Sequence, residues 1–85
     1  MYTYIIEDGQ FSEQIKFQTL MVPEGMKTTI YTYEFGRKRE VEVFVIKIDK
    51  PYVFCIGKVE NKFPETEEEY LELRNWMENK GYFNI

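Results

Sequence analysis

The stretch EVEVFVIKIDKPYVFCIGKV, residues 40–59, decides the fold. From Val41 to Ile48 every residue except Glu42 and Lys47 is β-branched or aromatic, and residues 52–56 form an unbroken apolar run. That is the pattern of strands covered on both faces. Asp49-Lys50-Pro51 lies between the two runs and reads as a turn, so two adjacent core strands are expected here. These residues specify a fold and no chemistry.

Toward the N-terminus, residues 2–6 form a short β-prone run, and Asp8-Gly9 supplies a pair suited to a tight hairpin. In residues 11–22, Ile15 and Phe17 alternate with Gln14, Lys16 and Gln18, as in a strand with one wet face at or near a sheet edge. The change of phase to Leu20 and Val22 predicts a bulge near Thr19. Val22-Pro23-Glu24-Gly25 has the proline and glycine of a type I turn, which would return the chain antiparallel as a third strand over residues 28–35. With residues 36–39 as the next turn, Phe35 falls opposite Glu40, Tyr33 opposite Glu42 and Tyr31 opposite Phe44. One face then carries Tyr31, Tyr33, Phe35, Phe44, Ile46 and Ile48, and the other Ile30, Thr32, Val41, Val43 and Val45.

Residues 67–80 read as the one helix. Thr66 and Glu69 make a capping box, three glutamates occupy the first turn, and Gly81 can adopt the left-handed stop. Tyr70, Leu73, Trp76 and Met77 share a stripe, Tyr82 is placed to pack back on Met77, and Leu71 lies off the stripe toward the tail at residues 83–85. The expected fold is α+β: a five-stranded antiparallel β-meander with one C-terminal α-helix packed on it. One domain spans residues 1–85, with the sheet in 1–63 and the helix and tail in 64–85. One helix cannot cover two apolar faces of a sheet. Either the strands curl into a partly open barrel, the choice favoured by strand twist, or one face is left for a partner.

Composition narrows the chemistry. Without histidine, and with one serine and one cysteine, the chain has no Cys-His or Ser-His nucleophile system and cannot assemble a four-ligand zinc shell. No clustered aspartates, EF-hand or phosphate-binding loop spacing is present, so no catalytic residue, metal or cofactor is expected. Cys55, between Phe54 and Ile56, reads as a small core hydrophobe. No stretch is long and apolar enough for a helical membrane span and no leader-like start is visible, which reads as cytoplasmic. The absence of alanine and the abundance of Phe, Tyr, Ile and Lys suit an AT-rich genome such as that of a phage or other mobile element.

Residues 1–63 hold nine acids and nine bases, whereas residues 64–85 hold six acids and two bases, so the net charge of −4 belongs to the helical segment. A generic DNA binder would be basic. The alternation Tyr31-x-Tyr33-x-Phe35, followed by Arg37, Lys38 and Arg39, is the most suggestive local feature. It reads either as packing beside a solvated turn, the more ordinary case, or as a stacking and cationic contact surface. Trp76 at the margin of the helix stripe reads as core or as an interface anchor. By elimination the expectation is a non-catalytic protein-binding domain that inhibits or modulates a host enzyme or defence protein, with Tyr31, Tyr33, Arg37, Lys38, Arg39 and Trp76 as candidate contacts. The alternatives are a single-stranded nucleic-acid binder using the same strand and turn, and a homo-oligomeric subunit, such as a homodimer, whose bare sheet face pairs with itself.

Overall fold

Five strands and one helix make the α+β fold, in the computed structural model, which describes residues 1–7, 12–18, 23–57 and 62–84. The strands are β1 (Tyr2–Glu7), β2 (Ser12–Phe17), β3 (Lys27–Glu34), β4 (Arg37–Asp49) and β5 (Tyr52–Ile56), and the helix is α1 (Glu67–Asn79). Their order across the sheet is β2-β1-β5-β4-β3. This departs from a meander at one join: β1 runs parallel to β5 and antiparallel to β2, while β2 and β3 are the two outer strands. Burial is the reason. Tyr4, Ile5 and Ile6 are apolar toward both faces and are all buried, so β1 belongs inside the sheet, whereas the exposed Gln14 and Lys16 suit β2 only to an edge. Backbone bonds from Thr3 N–H to the Pro51 carbonyl and from Gly57 N–H to the Glu7 carbonyl, each 2.8 Å, extend the parallel ladder at both ends. The expected turn at Asp8-Gly9 and the expected bulge near Thr19 fall outside the described residues.

The hairpin register also differs from that expected. The turn is Phe35-Gly36, so Glu34 pairs with Arg37, Tyr33 with Lys38, Tyr31 with Glu40 and Thr29 with Glu42. Phe35 and Gly36 both have positive φ, 53° and 75°, the signature of a two-residue type I′ turn whose twist matches that of the strands. The displacement is an even number of residues, so most side chains keep their expected face. Ile48 does not. A bulge in the β4–β5 ladder between Val45 and Lys47 leaves Ile48 packed with Val43 and Val45, not with Phe44 and Ile46.

Each face of the sheet carries its own core. On one, Ile5, Phe44, Ile46, Phe54 and Ile56 are buried with Met77 of α1, ringed by Tyr70, Leu73, Tyr82 and Phe83. The opposite face buries Tyr4, Ile6, Ile30, Val43, Val45, Val53 and Cys55, with Ile15, Phe17 and Val41 packed around them. No helix among the described residues lies on this second face. The sheet curls instead, because β4 is long enough to pair with β3 along its first half and with β5 along its second. The β3–β4 hairpin thereby joins the same cluster as β1 and β2, and Arg39 of β4 reaches Glu13 of β2 at 2.6 Å across the curl. The second face is therefore buried within the curl of the sheet itself.

Past the end of β3, the edge of β4 is covered by side chains. The Tyr70 hydroxyl donates to the Ile46 carbonyl at 2.7 Å, and the Ile48 N–H donates to Glu24 at 3.0 Å. Arg74 ties these groups together through Glu24 and the Tyr70 oxygen, at 2.9 Å each. Because β3 has ended here, these backbone groups would otherwise lack a partner on this side. Helix α1 starts as expected, with the Glu69 N–H donating to the Thr66 hydroxyl at 3.1 Å, while the Glu69 carboxylate reaches back to the Glu65 N–H. It ends in a Schellman closure: Gly81 has φ 82°, its N–H bonds the Glu78 carbonyl, and the Tyr82 N–H bonds the Met77 carbonyl.

Candidate binding surface at the hairpin tip

The β3–β4 hairpin places the candidate contact residues on two sides of one ribbon. Tyr31 and Tyr33 stand on the face of Lys38 and Glu40, and Arg37 and Arg39 on the reverse. Tyr31 is 44% exposed, with the Lys38 ammonium 4.3 Å from its ring centre, a cation–π contact. Tyr33 is 76% exposed. Arg39 forms a bidentate bridge to Glu13, at 2.6 and 3.2 Å, and so closes the curl as well as forming part of the tip. The structure thus joins Tyr31, Tyr33 and Lys38, sets Arg37 beside them around the turn, and gives Arg39 a structural partner. Trp76 belongs elsewhere. It is 39% exposed on α1, with the Tyr82 ring tilted against it at 5.9 Å and the Lys80 ammonium 6.0 Å from its ring centre. Leu71 is exposed on the helix and takes no part in either core, whereas Phe83 of the tail packs edge-on against Phe54 at 4.9 Å.

Phe35 is the residue that sequence reasoning misplaced. Expected inside a strand, it occupies the first turn position and is 96% exposed. A left-handed backbone is uncommon for any bulky residue, and an aromatic side chain left wholly in water gains nothing from burial. The signal was the Phe35-Gly36 dipeptide itself, because glycine suits the second position of a type I′ turn. Phe35, Arg37, Lys38 and Arg39 line a shallow, open recess of about 620 Å³. Its walls are one aromatic ring and three cations, with the carboxylates of Glu40 and Glu42 lower on the tyrosine face.

Elsewhere the titratable groups are built into the fold. Burial pushes the Cys55 thiol up to about 12, so its sulfur stays protonated and unreactive at neutral pH. The Tyr82 hydroxyl donates to the buried Glu7 carboxylate at 2.5 Å, and that bond, with burial and the neighbouring negative charge, raises the phenol to about 12. Among the described residues no three His, Cys, Asp or Glu side chains come together as a metal site, and no helix is long and apolar enough to cross a membrane. Comparison with protein-family models, curated proteins and solved structures finds no match.

Proposed function

We propose that the chain is a non-catalytic binding domain that engages a protein partner through the tip of the β3–β4 hairpin. The observation that carries this reading is Phe35, an aromatic side chain held in water by a left-handed turn and flanked by Tyr33, Arg37 and Lys38. Tyrosine and arginine around a protruding apolar anchor are the residue types that dominate binding energy at protein interfaces. A partner that suits the tip has an apolar pocket with an acidic rim, and the AT-rich composition points to a host enzyme or defence protein as its class. Single-stranded nucleic acid is the weaker reading. Glu40 pairs directly with Tyr31, so a carboxylate stands where a backbone phosphate would have to pass beside a stacked base.

The test is a comparison of two baits, the tagged wild type and Phe35→Asn, in lysate of a low-GC host with and without nuclease treatment. Asparagine suits a type I′ turn, so the variant keeps the fold while removing the anchor. A host protein retained stoichiometrically by the wild type and lost with the variant supports the proposal. Equal retention by both baits removes the tip from the interface, and recovery that appears only when nuclease is omitted transfers the assignment to nucleic acid.

A further inference from the structure

Among the described strands β3 is an outer strand of the sheet, and its backbone shows which groups its outer edge offers. Glu34 and Arg37 flank a two-residue turn and form a hydrogen-bonded pair, so the pairs of Ile30 with Val41 and Thr28 with Val43 are hydrogen-bonded as well. The bond from Val45 N–H to the Met26 carbonyl, 2.9 Å, continues the same phase. Lys27, Thr29, Tyr31 and Tyr33 therefore point their N–H and C=O groups away from β4, along the open edge.

Strands usually protect such edges with charge, proline or a bulge. The other free edges among the described strands follow that rule. On the side away from β3 the first half of β4 carries Lys38, Glu40 and Glu42, β2 carries Glu13 and Lys16, and the second half of β4 is covered by Glu24, Tyr70 and Arg74. On β3 the charges stand only at the two ends, Lys27 and Glu34, and the six residues between them include no charge, proline or bulge. Every residue there is β-branched or aromatic, and Tyr31 and Tyr33 on the outward-bonding positions keep much of their surface in water.

We infer that this edge pairs antiparallel with β3 of a second copy, joining two sheets into one of ten strands. The occupant follows from self-complementarity. A two-fold axis normal to the sheet at Ile30 places Lys27 opposite Tyr33 of the second copy and Thr29 opposite Tyr31 of the second copy. Each large ring then meets a small β-branched residue or a cation, and all outward N–H and C=O groups of residues 27, 29, 31 and 33 find ladder partners. The interface is isologous and closed, so it makes a dimer and not a fibre. It rests on the backbone edge of residues 27–33 and shares only Tyr33 with the tip, and its test uses Thr29 and Tyr31 where the other uses Phe35, so either proposal can fail without the other.

Sedimentation equilibrium of the full chain from micromolar to submillimolar concentration should show a reversible monomer–dimer equilibrium. Thr29→Pro removes an outward N–H without breaking a β3–β4 bond, and Tyr31→Lys puts a charge on the edge. Each should weaken association by about tenfold or more while circular dichroism stays native. The register is read by mixing Thr29→Cys with Tyr31→Cys chains under mild oxidation, with Cys55 buried out of reach. The mixed disulfide should dominate over either self-linked product. A wild type that stays monomeric throughout, or a dimer indifferent to both edge variants, overturns the dimer, and self-linkage of Tyr31→Cys alone overturns the register.

Discussion

Replacing Phe35 by asparagine should make the protein more stable, although it deletes the largest side chain of the turn. A non-glycine residue with a left-handed backbone costs about 1–2 kcal/mol, and asparagine escapes much of that by local hydrogen bonding. The opposing term is small. Phe35 is 96% exposed, so almost none of its apolar surface leaves water on folding and little burial energy is lost. The expected net gain is about 1 kcal/mol, which for a domain of this size raises Tm by about 4–8 °C. Phe35→Ala is the control, since it removes the ring but keeps the Cβ that makes the backbone unfavourable. Urea unfolding at low protein concentration, where self-association contributes nothing, should give a higher midpoint with unchanged m for the asparagine variant and no such gain for alanine. If asparagine and alanine behave alike, or if asparagine lowers the midpoint, the turn is not strained at Phe35 and its persistence needs no binding role to explain it.

Other perturbations test the body of the fold. Tyr82 has its phenol raised from an ordinary 10 to about 12, so its contribution is complete below pH 10 and declines as pH rises through 12. Stability followed against pH should therefore fall over that window in the wild type and fall less in Tyr82→Phe, which at neutral pH should cost about 2 kcal/mol for a bond to a charged acceptor. A double-mutant cycle on Arg39→Ala and Glu13→Ala should give a coupling of about 1 kcal/mol, the upper end for a partly exposed pair, because the bridge is bidentate and holds the curl closed. A coupling of zero would mean that the curl closes on apolar contacts alone. Cys55 should resist alkylation in the native protein and react at once when urea unfolds it, and rapid native labelling would show that the inner core opens. Met77→Ala should cost about 2–5 kcal/mol by emptying the one fully buried helix position, and a near-neutral result would show that α1 is not part of the cooperative core.

Local chemistry made part of this fold readable and long-range pairing kept the rest hidden. The helix was legible to within a residue because Thr66, Glu69 and Gly81 each act on their own neighbours. The two core strands were legible from β-branched runs, and the edge character of β2 from its alternation. The parallel join of β1 to β5 was not. It depends on contacts between residues about 50 positions apart, which leave no mark on periodicity beyond the double-sided burial of Tyr4, Ile5 and Ile6. The hairpin register was lost to one choice, a turn read as centred on the basic residues and found at Phe35-Gly36. The bulge at Val45 and Lys47 has no glycine to announce it, and it alone moves Ile48 to the other face. At the candidate surface, Tyr31, Tyr33 and Lys38 were read together, whereas Arg39's bond to Glu13 depends on a curl that no local pattern encodes.

Two of the three side chains that cover the second half of β4, Tyr70 and Arg74, come from α1 and make it a guard against misassembly as well as a source of burial. Tyr70 and Arg74 sit on the same helix as Met77, so the strand's hydrogen-bonding edge and the apolar face beneath the helix are shielded by one element. They can only be exposed together. A chain that loses the whole of α1 to a protease would not persist as a smaller, looser domain. It would display a sticky edge beside a sticky face, and its fate would be precipitation or degradation.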